Sequence, residues 1–182
     1  FLRDELKLEL SKTKTLITHA RSEEARFLGY AITTLQFDGK QSQTSGNQRH
    51  KMRRRSINGR IGLQVPKDVI QEKRQRYRRG KKAIHRAELL TESDFSIVQR
   101  YQSEYRGLVN YYRLAYNMHT LNELRYDMEI TLVKTLAHKH QRSVAKTYEK
   151  YQATKEIEGK ERKILQVIVN RADKNPLIAT WG

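Results

Sequence analysis

Arg53, Arg54 and Arg55 stand in a row, and Lys73, Arg74, Arg76, Arg78, Arg79, Lys81 and Lys82 crowd a second short stretch. Guanidinium forks match phosphate oxygens two at a time, and ammonium groups act as point charges. Residues 40–86 hold sixteen Lys/Arg against only Asp68 and Glu72, so +14 of the chain's +17 sits there. Residues 1–39 balance six against six, and residues 87–182 carry fifteen against twelve. Like charge packed this way repels itself unless it meets a polyanion. The plain alternative is a solvated basic loop. Nine of the ten tyrosines lie between 77 and 151. Tyrosine stacks on unpaired bases, which favours nucleic acid over a membrane surface. Tyr101, Tyr105 and Tyr112 share an apolar stripe and read as core, whereas Tyr111 and Tyr116 lie off it and read as contacts. Arg106 and Arg113 are seven apart, on one face of the same expected helix. Lys139 and His140 complete the candidate binding set.

Catalytic constellations are sparse. The sequence has no adjacent pair of aspartates, no phosphate-binding G-x-x-x-x-G-K-[ST] loop and no recognisable nucleophile elbow. It has no cysteine, which excludes disulfides and thiolate metal sites. His138 and His140 are two apart at an expected helix end, so they point apart and make poor joint metal ligands. No metal site is expected. No apolar run approaches a membrane span, and no secretory signal is recognisable. The first residue is not Met, and the opening residues read as the inside of a structured element, so a piece of a longer protein is expected.

These side chains need elements to hold them. Leu6, Leu8 and Leu10 share one parity, a strand pattern that also passes for a short helix. Residues 15–18 are β-formers, and Phe27 to Ile32 is an apolar run with Gly29 inside a strand, where glycine marks a bulge or a close backbone approach. Alternation continues through Leu35 and Phe37 to an Asp38-Gly39 turn. Residues 40–60 read as a basic loop ending in the hairpin dipeptide Asn58-Gly59, followed by a strand alternating at Ile61, Leu63 and Val65. Pro66 opens a basic helix interrupted near Gly80. Thr91 or Ser93 starts a long helix with its stripe at Val98, Tyr101, Tyr105, Leu108, Tyr112 and Ala115, ending near Asn117. Gly107 inside that helix costs about 1 kcal/mol against Ala, so a close helix–helix contact is expected there. Leu121, Leu124, Met128, Leu132 and Leu136 mark a second long helix, and residues 143–151 a third. Short connections imply antiparallel neighbours in a bundle. A turn at Glu158-Gly159-Lys160, a β-branched strand over Ile164 to Val169 and an extended Pro176–Trp181 segment finish the chain.

Several segments in order resemble group II intron-encoded reverse transcriptases and maturases. Leu10-Ser11-Lys12-Thr13-Lys14-Thr15-Leu16-Ile17-Thr18-His19 is similar to the LS-x-x-KT-x-I-T-H segment of the sixth reverse-transcriptase block. Ala25-Arg26-Phe27-Leu28-Gly29-Tyr30 resembles RFLGY of the seventh, the primer-grip neighbourhood. Arg55-Ser56-Ile57-Asn58-Gly59 through Val65-Pro66 resembles the NG…VP entry to the thumb. Tyr105-Arg106-Gly107-Leu108-Val109-Asn110-Tyr111-Tyr112 resembles the E-x-RG-x-x-NYY signature of the maturase region, domain X. Lys134-Thr135-Leu136-Ala137-His138-Lys139-His140 and Pro176-Leu177-Ile178-Ala179 resemble segments that follow it.

The resemblance implies an α+β fold: mainly a helical bundle, with residual palm strands at the N-terminus and a short β-hairpin near the C-terminus. It implies the end of the polymerase palm over 1–38, a basic loop and entry strand over 39–65, helical thumb and domain X over 66–152, and a terminal hairpin and tail over 153–182. The expected partners are group II intron RNA, a target DNA or primer duplex, and the rest of the reverse-transcriptase chain, in a bacterial cytoplasm or organelle matrix and with no membrane. Phe27, Leu28, Gly29 and Tyr30 would form the primer-grip region, and Lys14 an accessory to nucleotide addition. The aspartates that bind Mg2+ in the intact polymerase belong to a motif expected before residue 1. This chain alone should extend no primer. The rival reading is a basic helical DNA-binding or assembly protein unrelated to introns.

Overall fold

The computed structural model describes residues 4–9, 11, 17–36, 42–43, 53–54, 58–157, 159–172 and 174–182. The chain divides into two compact units, residues 1–64 and residues 65–182. Its architecture is α+β: four α-helices together with small antiparallel sheets among the described residues.

In the first unit, β1 (Ala25–Phe27), β2 (Tyr30–Leu35) and β5 (Arg60–Gln64) form an antiparallel sheet in the order β1-β2-β5. Phe27 pairs with Tyr30, so Leu28 and Gly29 are a two-residue hairpin turn. Both have positive φ, 45° and 74°, the backbone that matches the twist of paired strands. Gly29 is therefore a turn residue and not a mid-strand glycine. Among the described residues upstream no strand forms: residues 4–9 are turn and irregular chain, Ile17 and Thr18 lie outside any strand, and the rest of the expected strands falls outside the described residues. Leu6, Leu8 and Ile17 are exposed, so alternation there has no buried face to serve. Within the basic loop, β3 (Ser42–Gln43) and β4 (Arg53–Arg54) make a short antiparallel pair. Gly59 has the positive φ expected of the Asn58-Gly59 turn, and its N–H donates to the carbonyl of Leu35. The expected alternation holds in part: Leu63 is half-buried and Val65, just past the strand, is buried. Ile61 is exposed and Gly62 buried, because the Leu35 side chain fills the space where a Cβ on residue 62 would stand.

In the second unit, α1 (Lys67–Gln75) starts behind Pro66, whose missing N–H costs nothing there. The basic helix stops sooner than its charge suggests. Arg78–Arg79 (β6) pairs with Lys82–Ala83 (β7) in a tight hairpin around Gly80, which takes φ 62°. Helix α2 (Asp94–Tyr111) is capped by Ser93, whose hydroxyl accepts from the N–H of Ser96 at 3.1 Å. It ends at Asn110, Tyr111 and Tyr112, a run of weak helix formers, so Arg113 and Ala115 lie beyond it. Helix α3 (Leu121–Lys139) buries residues on nearly every face, including Leu124, Met128, Leu132, Leu136 and Thr135. It is the central element of this unit. Helix α4 (Val144–Tyr151) is capped by the Ser143 hydroxyl.

The chain then runs directly into β8 (Gln152–Ile157), β9 (Lys160–Arg171) and β10 (Lys174–Trp181), a three-stranded antiparallel sheet in the order β10-β9-β8. The expected hairpin with an extended tail is thus a full meander, and the tail is its third strand. Trp181 fixes that strand to α2. It is 1% exposed and meets Tyr101 edge-on, with ring centroids 6.3 Å apart, and Tyr105 at 5.5 Å. Tyr101 and Tyr105 thus serve the core, as their stripe predicted.

Candidate nucleic-acid interface

The cations of the second unit divide by what surrounds them. Arg74 points from α1 to α3, where its Nε donates to Asp127 at 2.6 Å and its Nη1 pairs with Glu123. Arg78 approaches the same Asp127 at 3.6 Å and donates to the carbonyl of Lys81 at 2.5 Å. Asp127 is only 4% exposed. A carboxylate so placed needs cationic partners, since burying it alone costs several kcal/mol. Lys139 and His140 are likewise engaged: Lys139 at 2.8 Å and His140 at 2.8 Å both reach Asp94 at the start of α2. Tyr151 donates to the same carboxylate at 2.5 Å. Burial pushes the Asp94 carboxyl up, but the hydrogen bonds from Lys139, Tyr151 and His140 outweigh it and hold it at about 2. The geometry gives Arg74, Arg78, Lys139 and His140 structural partners, where the sequence offered them all to a ligand.

Lys73, Arg76, Arg79, Lys81, Lys82, Arg106 and Arg113 enter no side-chain ion pair among the described residues. Five of these seven come from α1 and the β6–β7 hairpin. Tyr111 and Tyr116 are exposed, at 53% and 59%, while Tyr112 is buried. Arg53 and Arg54 lie on β4, and Arg55 and Lys14 fall outside the described residues. Phe27 and Leu28 sit exposed at the tip of the β1–β2 hairpin, beside Gly29 and Tyr30.

Sequence reasoning missed the residue that organises this surface. Arg86 donates through one nitrogen to both carboxylate oxygens of Glu104, at 3.0 and 3.1 Å, and through Nε to Glu88 at 2.8 Å. Its guanidinium also lies 5.3 Å from the ring centroid of Tyr101 and 5.8 Å from that of Tyr77. Tyr77 donates its hydroxyl to Glu104 at 2.5 Å; burial first, then this bond, pushes the phenol up. Asn117 was also missed. Its side-chain oxygen accepts from the N–H of Val65 at 2.7 Å and its amide donates to the Val65 carbonyl at 3.1 Å, pinning the residue before α1. No local pattern could announce a partner 52 positions away.

The expected close approach at Gly107 is absent. A Cβ added there meets nothing within 4 Å. The glycine faces a cavity of about 360 Å³ between α1 and α2. Among the described residues no group of three or more His, Asp or Glu side chains could hold a metal ion, and no helix is long and apolar enough to cross a membrane.

A mixed α+β unit with helix-borne cations and a glycine-floored groove is matched over residues 63–175 by the family described as type II intron maturase. The chain belongs to that family. It is 38% identical over 160 residues to the group II intron-encoded protein LtrA of Lactococcus lactis subsp. cremoris, an alignment covering 81% of this chain and 25% of LtrA. It is 29% identical over 155 residues to the "Putative COX1/OXI3 intron 1 protein" of Saccharomyces cerevisiae, covering 80% of this chain and 19% of that protein. The chain therefore spans about a quarter or less of the length of these curated relatives.

Proposed function

We propose that this chain grips group II intron RNA as the thumb and domain X of an intron-encoded reverse transcriptase. It would assist splicing and, within the intact parent, support RNA-directed DNA synthesis during intron mobility. In this reading residues 1–38 end the polymerase palm, 39–65 form the basic loop and entry strand, 66–152 the thumb and domain X, and 153–182 its closing strands. Phe27 to Tyr30 would approach a primer duplex, and Lys14 would assist near the polymerase site. Mg2+ would serve carboxylates of the intact polymerase.

One observation carries the reading. In a segment of the maturase family, Lys73, Arg76, Arg79, Lys81 and Lys82 are held on one helix, its C-terminal cap and the hairpin after it, without an ion pair to an acid among the described residues. Such cations release counterions when they meet phosphates, which supplies affinity. Binding that favours one RNA fold over its competitors stabilises that fold by the difference. Arg106 would extend the same contact, and the basic loop of the first unit would make its own.

The test is a salt titration of binding to a group II intron RNA. Log affinity should fall linearly with log salt, with a slope of about −0.7 to −0.9 for each phosphate neutralised. Changing Arg76 and Arg79 to Gln should flatten it by about two contacts. A flat profile refutes the proposal, and generic duplex DNA competing as well as intron RNA favours a DNA-binding protein.

A further inference from the structure

The cavity beside Gly107 has a composition that phosphate binding alone does not explain. Half-buried Leu108 gives it an apolar floor, backed by the buried Leu124 and Met128. Lys73 in the last turn of α1 and Arg76 at its C-terminal cap supply one wall. Tyr111, half exposed in the last turn of α2, lies at the other side. Its one carboxylate, Glu104, is already matched by Arg86 and the Tyr77 hydroxyl. Those bonds turn its oxygens toward Arg86 and Tyr77 and offset part of its charge.

Glycine in the middle of an eighteen-residue helix costs stability without a local return. Gly107 has no positive φ to require it, and no neighbour fills the space of its missing side chain. The open volume is of the size that ligand pockets occupy. An apolar floor, an aromatic ring and two unspent cations on one wall match a nucleotide removed from its stack. The base has a flat apolar face, and its phosphate needs positive charge. Paired RNA keeps its bases stacked inside and would leave the floor empty.

We propose that this groove receives one unpaired nucleotide of the bound RNA. The base lies over Leu108 along the bare Cα of Gly107, next to Tyr111, and the phosphate meets Lys73 and Arg76. The inference rests on the RNA-binding reading above and adds to it a preference for an unpaired position.

The test uses the whole chain with two probes: a fluorescent single-stranded oligoribonucleotide, and an RNA duplex containing that strand. Gly107→Leu fills the groove with a better helix former, so folding should be kept or improved. It should weaken single-strand binding about tenfold, as loss of a stacked base does, and change duplex binding less than twofold. Tyr111→Ala, made separately in case the leucine variant misfolds, should show the same selectivity to a smaller degree. A single strand carrying 4-thiouridine should crosslink to the peptide holding Tyr111 in the wild type and lose that crosslink with Gly107→Leu. Equal weakening of both probes, or none of either, overturns the groove proposal while wild-type RNA binding persists. If the wild type binds neither probe, the RNA reading itself fails and takes this one with it.

Discussion

Two pairs of cations leave the same stretch of chain and meet opposite fates. Arg74 and Arg78 are drawn onto Asp127, with Glu123 one turn away on α3 also taking Arg74. Lys73 and Arg76 stand on the other wall, over a groove whose one acid is already spent on Arg86. All four look alike as letters in a basic run. What separates them is where α3 and α2 present their carboxylates. A positive charge is available to a polyanion only if the fold has not used it first.

The largest expected effect tests the spent pair. Asp127→Ala leaves Arg74 partly buried without its main partner and should cost about 3 kcal/mol, read as a fall in the urea midpoint. A loss under about 0.5 kcal/mol would mean that the pair is decorative and that Arg74 is as free as Arg76. The second test uses acid. Asp94 titrates at about 2 in the folded chain, below the unfolded carboxyl near ~4. Its contribution is therefore full above about pH 4 and lost as pH falls from about 4 to about 2. Denaturation followed over that range should show about 2 kcal/mol more acid sensitivity in the parent than in Asp94→Asn. Equal sensitivity would break the assignment of Lys139 and His140 to structure. The smallest effect on stability belongs to the unspent pair. Lys73→Gln with Arg76→Gln should move stability by less than about 0.5 kcal/mol while weakening RNA binding and flattening its salt dependence. If unfolding shifts as far as with Asp127→Ala, the comparison collapses.

Much of the helical part could be read in advance, because local patterns carry it. Ser93 and Ser143 cap their helices, and the stripe from Leu121 to Leu136 is buried as its spacing requires. The strands were harder. Leu6 and Leu8 alternate without pairing, since alternation reports a strand only when a neighbour and a core are supplied. Gly29 looked like a flaw in a strand and is the turn between two, a distinction set by where Phe27 and Tyr30 pair. Gly107 announced a packing contact and delivered open space. The candidate site was legible as an inventory of cations and tyrosines. Which of them remained available was not.

By itself the sequence determined the excess positive charge and its concentration between 40 and 86, the two long helical stripes, and the order of segments that places the chain in its family. These follow from composition and from periods of two or three and four residues, which need no partner to be seen. Only the tertiary structure decided that Arg74, Arg78, Lys139 and His140 meet carboxylates, that Arg86 pairs with Glu104, and that Gly107 opens a groove. Each of those depends on two side chains meeting across many positions of chain, or failing to. Electrostatic pairing falls off within a few ångströms, so separation along the sequence carries no record of it.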